Sequence, residues 1–272
     1  LQIKIPYKSP FATEGLIMKS LIIFCHPEPA SFNGALKDVA VDALQIVGHE
    51  VRVTDLHAEG FDPVEKAEHY VSRCNPDWFS PTAEQRHASA DDTLPPEIKE
   101  QIALLEWADL VILQFPLWWH AQPAMLKGWF DRVFVNGGLF TGKMRYDRGY
   151  FRGKHAICSV TTGAPQAAFG GNGRGGNMDV MLWPIQYSLY YMGFSVLKPF
   201  LSYGIQAHKG FVRLKGNAFE DHLETCKRAW RDRLTHLDVT DQVQFPGWDD
   251  WDEDGHPIAG ASDVSGIRTT CS

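Results

Sequence analysis

Little in this sequence points to nucleic acid, a membrane span or a metal. Its 33 aspartates and glutamates outnumber 26 lysines and arginines, for a net charge of −7. That balance leaves no basic footprint for DNA or RNA. No apolar run approaches the roughly 20 residues that a membrane-spanning helix needs. The five cysteines, Cys25, Cys74, Cys158, Cys226 and Cys271, are odd in number and show no Cys-x-x-Cys spacing. A reducing cytoplasm is the simplest setting for them. No histidine or cysteine cluster has metal-ligand spacing, so no metal is expected. The acidic stretch that begins at Asp250 opens like a calcium loop. Its twelfth position, which requires Glu, is Ala261, and it reads as a solvated segment. No internal repeat is present.

What is there is an alternation of strand and helix patterns. Residues 21–25 form a short continuous apolar run, as a strand covered on both faces requires. A helical stripe of Leu36, Val39, Ala40, Ala43, Leu44 and Val47 follows, and Gly48 ends it. Residues 50–56 read as a second strand, 98–107 as helix, 110–115 as strand and 124–135 as helix. Then come a strand at 155–160, a helix at 178–192, a strand at 196–203 and a closing helix at 219–237. Repeated βα units imply a parallel sheet with right-handed crossovers and helices on both faces. Five strands suit the flavodoxin-like order 2-1-3-4-5.

The domain layout follows. Residues 1–17 read as a leader or tag-derived segment, because Met18 directly precedes the first strand. Residues 18–239 form the α/β domain. Residues 61–96, long, polar and rich in proline and histidine, form a surface insertion. Residues 240–272 form an irregular tail with Phe245, Trp248 and Trp251 as its apolar points, able to drape over a partner subunit.

Three loops should meet at the carboxyl edge of the sheet, around the switch point between strands one and three. The first runs from His26 through Ser31, Phe32 and Asn33. Ser31 and Asn33 stand at a helix start, where amides and the helix dipole make a phosphate site. Taken alone, Ser31 is as well explained as an N-cap. The second loop carries Pro116, Leu117, Trp118, Trp119 and His120. It reads as a flat aromatic ledge suited to a conjugated ring, or as an aromatic core cluster. The third, Thr161, Thr162, Gly163 and Ala164, lets hydroxyls and amides approach a planar heterocycle. Phosphate donors, an aromatic wall and ring-edge donors at one place favour a bound flavin. The run 171–176 fits G-x-G-x-x-G but lies outside a strand–turn–helix setting, so it reads as a loop over that site.

These blocks, with residues 108–117, 127–130, 161–163 and 182–186, resemble the NAD(P)H:quinone oxidoreductases, in particular the longer type known from animals. The resemblance spans residues 19–237. It implies a flavodoxin-like homodimer with a non-covalent flavin in each site and the activity of an NAD(P)H dehydrogenase (quinone). FAD is preferred to FMN, because the insertion is like the segment that lengthens FAD-using members. His26, Ser31, Phe32 and Asn33 would hold the pyrophosphate and ribityl region. Pro116, Leu117, Trp118 and Trp119 would flank the isoalloxazine, and Thr161, Thr162, Gly163 and Ala164 would bond its edge. Asp131 matches an acid near the adenosine. NAD(P)H would give a hydride to flavin N5, and a quinone would then take it in ping-pong order. Trp119 and Gly163 would border the reacting ring.

The sequence also departs from that family. Phe169 and Gly175 stand where the animal type has a tyrosine and a histidine, and neither side chain can donate a proton. His120 and Arg174 are the ionisable donors nearby and become candidate catalytic residues. Phe140 stands where those proteins have a tyrosine, and Gly142 where they have another. Phe140, Phe169 and Tyr191 are therefore expected to line a more apolar, roomier substrate pocket. The alternatives are an azo- or nitro-compound reductase on the same scaffold, or a regulatory flavoprotein subunit of a transporter.

Overall fold

The computed structural model describes residues 17–170, 172–206 and 217–258. Its central strands are β1 (Lys19–Phe24), β3 (Leu110–Pro116) and β4 (His155–Thr161). Every residue of β3 and β4 is buried, as are five of the six in β1. A strand covered on both faces has no polar side to keep, which is why these sequences are continuous apolar runs. β2 (Glu50–Asp55) is the edge strand, and only Thr54 of it is fully buried. The strands pair in parallel in the order β2-β1-β3-β4-β5.

The last expected strand is broken. β5 (Ser195–Val196) pairs with the start of β4, and β6 (Phe200–Ser202) pairs with its end. Pro199 lies between them and has no N–H for the ladder, while the Lys198 N–H donates to the Asp241 carbonyl of the tail.

Among the described residues, six α-helices flank the sheet: α1 (Phe32–Ile46), α2 (Pro81–Ala90), α3 (Pro96–Trp107), α4 (Ala124–Val133), α5 (Met178–Tyr191) and α6 (Asn217–Thr235). Successive strand residues point to opposite faces. Thus Ile22, Ile112 and Ile157 meet α1 and α6, through Leu36, Leu44 and Trp230. Leu21, Ile23, Val111 and Leu113 meet α3, α4 and α5, through Leu105, Trp129 and Leu182. Val47, expected in the buried stripe of α1, is instead 40% exposed, because the helix ends at Ile46 and Gly48 turns the chain away at φ +87°.

Residues 61–96 are a folded layer on α4. They contain a 3-10 turn (Ala67–His69) and α2. Gln85 donates to the Asp131 carbonyl (2.9 Å) and accepts from the Asn136 N–H (3.2 Å). Gly128 of α4 lies so close to Pro63 that a Cβ there would meet its carbonyl oxygen at 2.1 Å. The tail returns to its own chain. The Val243 N–H donates to the Val196 carbonyl (2.8 Å), and Phe245 stacks on Tyr190 at 4.5 Å. Residues 1–16 of the expected leader and 259–272 of the expected tail lie outside the described residues. Among the described residues, no helix is long and apolar enough to cross a membrane.

Candidate functional site

Strands β1, β3 and β4 end at one edge, and their loops touch there. His26 and Trp118 bring the first two together, with ring centroids 5.8 Å apart. The Leu117 N–H donates to the Thr161 carbonyl (2.9 Å), joining the second to the third.

In the first loop, Ser31 caps α1 and accepts from the Gly34 N–H at 3.2 Å. The loop folds back over the helix start. A Cβ on Gly34 would stand 1.9 Å from the Pro29 carbonyl oxygen, so only glycine fits. Among the described residues, nothing accepts the Phe32 and Asn33 amides. They are the unsatisfied first-turn donors that a phosphate needs. Burial holds the His26 imidazole below its ordinary pKa, against the Glu28 carbonyl. His26 can thus offer an anion a hydrogen bond but little charge at neutral pH.

The Asn33 side chain is engaged within the chain. It is 1% exposed. Its amide nitrogen donates to Thr161 Oγ1 (2.8 Å), and its oxygen accepts from Gln114 Nε2 (2.9 Å). It is a strut tying α1 to β3 and β4 beneath the edge. The threonine pair is likewise committed. Thr161 receives Asn33, while the Thr162 hydroxyl donates to the Ala164 carbonyl and its N–H to the Ser202 carbonyl. The donors left to a ring edge are the backbone amides of Gly163 and Ala164, which nothing accepts among the described residues. Gln206 packs closely over Gly163, and a Cβ there would stand 2.4 Å from Gln206 Oε1, so that side chain would have to move.

The second loop is a tight hairpin turn, not a packed ledge. Trp118 and Ala121 exchange both backbone hydrogen bonds (3.0 and 3.1 Å). Trp119 and His120 between them have φ of +51° and +63°. Two positive φ values define a type I′ turn, where Asn-Gly is usual. Bulky residues in that conformation cost roughly 1–3 kcal/mol each, and such strain clusters at functional sites. Its effect here is to separate the two tryptophans. Trp118 leans on His26, and Trp119 projects with 95% of its surface exposed. His120 is exposed beside it. Pro116 is buried in β3, and Leu117 is half-buried behind the turn.

The remaining expected residues divide. Phe140 and Tyr191 meet edge to face at 5.6 Å, but Phe169 packs on Tyr203 at 5.7 Å. Arg174 is exposed on a knot of turns in which the Gly175 N–H donates to the Ala168 carbonyl; Gly171 of that run lies outside the described residues. Asp131 pairs with Lys127 on an exposed stretch of α4, about 10 Å along the helix from its start. Among the described residues, no group of carboxylates, histidines and cysteines could hold a metal.

Three features went unread in the sequence. Gln114 ends the buried network, donating from Nε2 to Asn33 while its Oε1 has no partner among the described residues, and a glutamine inside an all-buried strand is a signal for it. Gln206 packs on Gly163. Arg145 lies over the Tyr191 ring, 5.7 Å from its centroid, beside Phe140.

The edge carries open amides at a helix start and at the third loop, and a bare indole between them. That donor set fits a phosphate-bearing planar heterocycle such as a flavin. Comparison with known proteins agrees. A family model described as a flavodoxin-like fold matches residues 18–233. The chain is 44% identical to the guinea pig (Cavia porcellus) NAD(P)H dehydrogenase [quinone] 1 over 223 residues, 81% of this chain and 78% of that one. It is 41% identical to the Mus musculus ribosyldihydronicotinamide dehydrogenase [quinone] over 221 residues, 80% and 91% of the two chains. A Klebsiella pneumoniae crystal structure, assigned provisionally as a quinone reductase, superposes with a TM-score of 0.75 at 36% identity, covering 86% of this chain and 91% of that one. The chain belongs to the flavodoxin-like family of NAD(P)H:quinone oxidoreductases.

Proposed function

We propose that this protein is an FAD-dependent reductase that transfers two electrons from NAD(P)H to a quinone. A flavin bound at the carboxyl edge would accept a hydride at N5 from the nicotinamide and pass it to the quinone in ping-pong order. The observation that carries this reading is the strained turn that presents Trp119 bare at the same sheet edge as the open amides of Phe32, Asn33, Gly163 and Ala164.

Each group then has a task. The Phe32 and Asn33 amides take phosphate oxygens at the positive end of α1. The exposed Trp119 indole flanks the planar ring, and Trp118 with His26 closes the side of the cleft. The Gly163 and Ala164 amides face the ring edge, where fixed donors stabilise negative charge as it builds. His120 and Arg174 are the cationic or proton-bearing groups free to reach a quinone oxygen. Asn33, Gln114 and Thr161 hold the loops in register and touch no substrate. The Phe140–Tyr191 pair serves the site of a partner subunit in a homodimer, with Arg145 behind it. The insertion at 61–96 favours FAD, since it extends the protein surface past Asp131.

The test is direct. Flavin released from the purified protein is identified chromatographically. Oxidation of NADH, NADPH and ribosyldihydronicotinamide is then followed with menadione, and light scattering gives the subunit count. A protein that neither retains nor takes up flavin overturns the reading. Retained FMN with normal turnover corrects the cofactor alone.

A further inference from the structure

A separate cavity of about 460 Å³ lies at the amino edge of the sheet, opposite the three loops. That volume falls within the roughly 300–1,000 Å³ of small-molecule sites. The starts of β4 and β5 border it through His155 and Ser195, and residues 239–245 of the tail close it from the other side. Phe245, half-buried, supplies an apolar wall, while Phe194 is 1% exposed with its ring stacked on Phe151.

Among the described residues its one arginine or lysine is Arg152. The turn that carries it is closed by the Lys154 N–H donating to the Phe151 carbonyl (3.1 Å), with Gly153 taking the left-handed position at φ +84°. Glycine at the third position of such a turn leaves the second, Arg152, projecting outward. Among the described residues the Arg152 guanidinium has neither hydrogen bond nor ion pair. The acid of the lining, Asp147, is engaged by the tail and accepts the Trp248 N–H at 2.8 Å. An unpaired guanidinium at the wall of an aromatic cavity matches a carboxylate, whose two oxygens suit its planar fork.

We propose that this amino-edge cavity binds a small planar carboxylate, with Arg152 taking the carboxylate and Phe245 flanking the ring. The site is independent of the flavin cleft and of any reaction there. Because the tail forms one wall, the bound carboxylate also fastens residues 239–258 to the sheet.

Benzoate is the probe and uncharged benzamide its control, each titrated calorimetrically into the full chain. Benzoate is expected to bind about tenfold or more tightly than benzamide. Arg152→Gln, an exposed turn substitution, melts as wild type and removes that preference. Val243→Trp, which fills the cavity from the tail side, abolishes binding of both. Trp119→Ala, at the opposite edge, leaves benzoate binding unchanged. Benzoate that fails to bind at millimolar concentration, binds no better than benzamide, or binds Arg152→Gln as it binds wild type overturns the proposal. So does loss of binding in Trp119→Ala, which would put the carboxylate in the flavin cleft.

Discussion

The insertion at residues 61–96 and the loops of the carboxyl edge draw on similar residues, yet they treat their polar groups in opposite ways. In the insertion, Glu84 is fully covered, by the single layer of chain at residues 73–78. It accepts from Arg73 Nε (2.7 Å) and from the Cys74 N–H (2.8 Å). Gln85 is satisfied at both ends. At the carboxyl edge Asn33 is paired at both ends, but Gln114 Oε1 beneath the surface and the amides above it have no partner among the described residues, and two residues are held left-handed. A satisfied donor stabilises the fold; an unsatisfied one next to a strained turn has its value only when something binds.

That contrast predicts opposite outcomes for substitutions in the two regions. Glu84→Ala leaves Arg73 and the Cys74 amide without their acceptor. It should lower stability by about 2–3 kcal/mol in urea unfolding, with turnover per bound flavin unchanged. Asn33→Ala joins the two behaviours. It orphans Gln114 and Thr161, should cost about 2 kcal/mol, and should weaken flavin binding in a fluorescence titration. Trp119→Gly should do the reverse of Glu84→Ala. Removing a side chain from the left-handed position should stabilise the protein by about 1 kcal/mol, while quinone turnover falls about tenfold or more. Equal stability losses for Glu84→Ala and Trp119→Gly would erase the distinction.

The smallest effect is a pH dependence confined to the insertion. Burial pushes the Glu84 carboxyl up, but Arg73 and the Cys74 amide outweigh it and hold it below its ordinary value of 4.5. A carboxyl lowered in the folded state favours folding above its unfolded value, and that contribution is lost as pH falls through the folded value. Acid unfolding below about pH 4.5 should therefore be less steep in Glu84→Gln than in wild type. Turnover at neutral pH should not differ.

How much could be read beforehand varies with the range of the interaction. The buried runs of β1, β3 and β4 are local patterns, and they form where expected. α2 was legible too, from Pro81 at its first position and Glu84 in its first turn, but the polar composition around it hid the signal. Pro199 inside an apolar run marked the broken strand. The Trp119–His120 turn gave little warning, because histidine tolerates φ > 0 but tryptophan rarely takes it. Asn33 could not be told from a phosphate donor, since its partners lie 81 and 128 residues away in sequence.

By itself the sequence determined the order of elements, the parallel sheet and the edge at which three loops converge. Hydrophobic periodicity is local and crossover handedness is fixed, so these follow without distant contacts. Only the tertiary structure decided which donors at that edge are used internally and which stay open. Satisfying a hydrogen bond depends on what arrives from far along the chain, and the residues named as donors in the sequence, Asn33, Thr161 and Thr162, are the ones whose side chains the fold had already engaged.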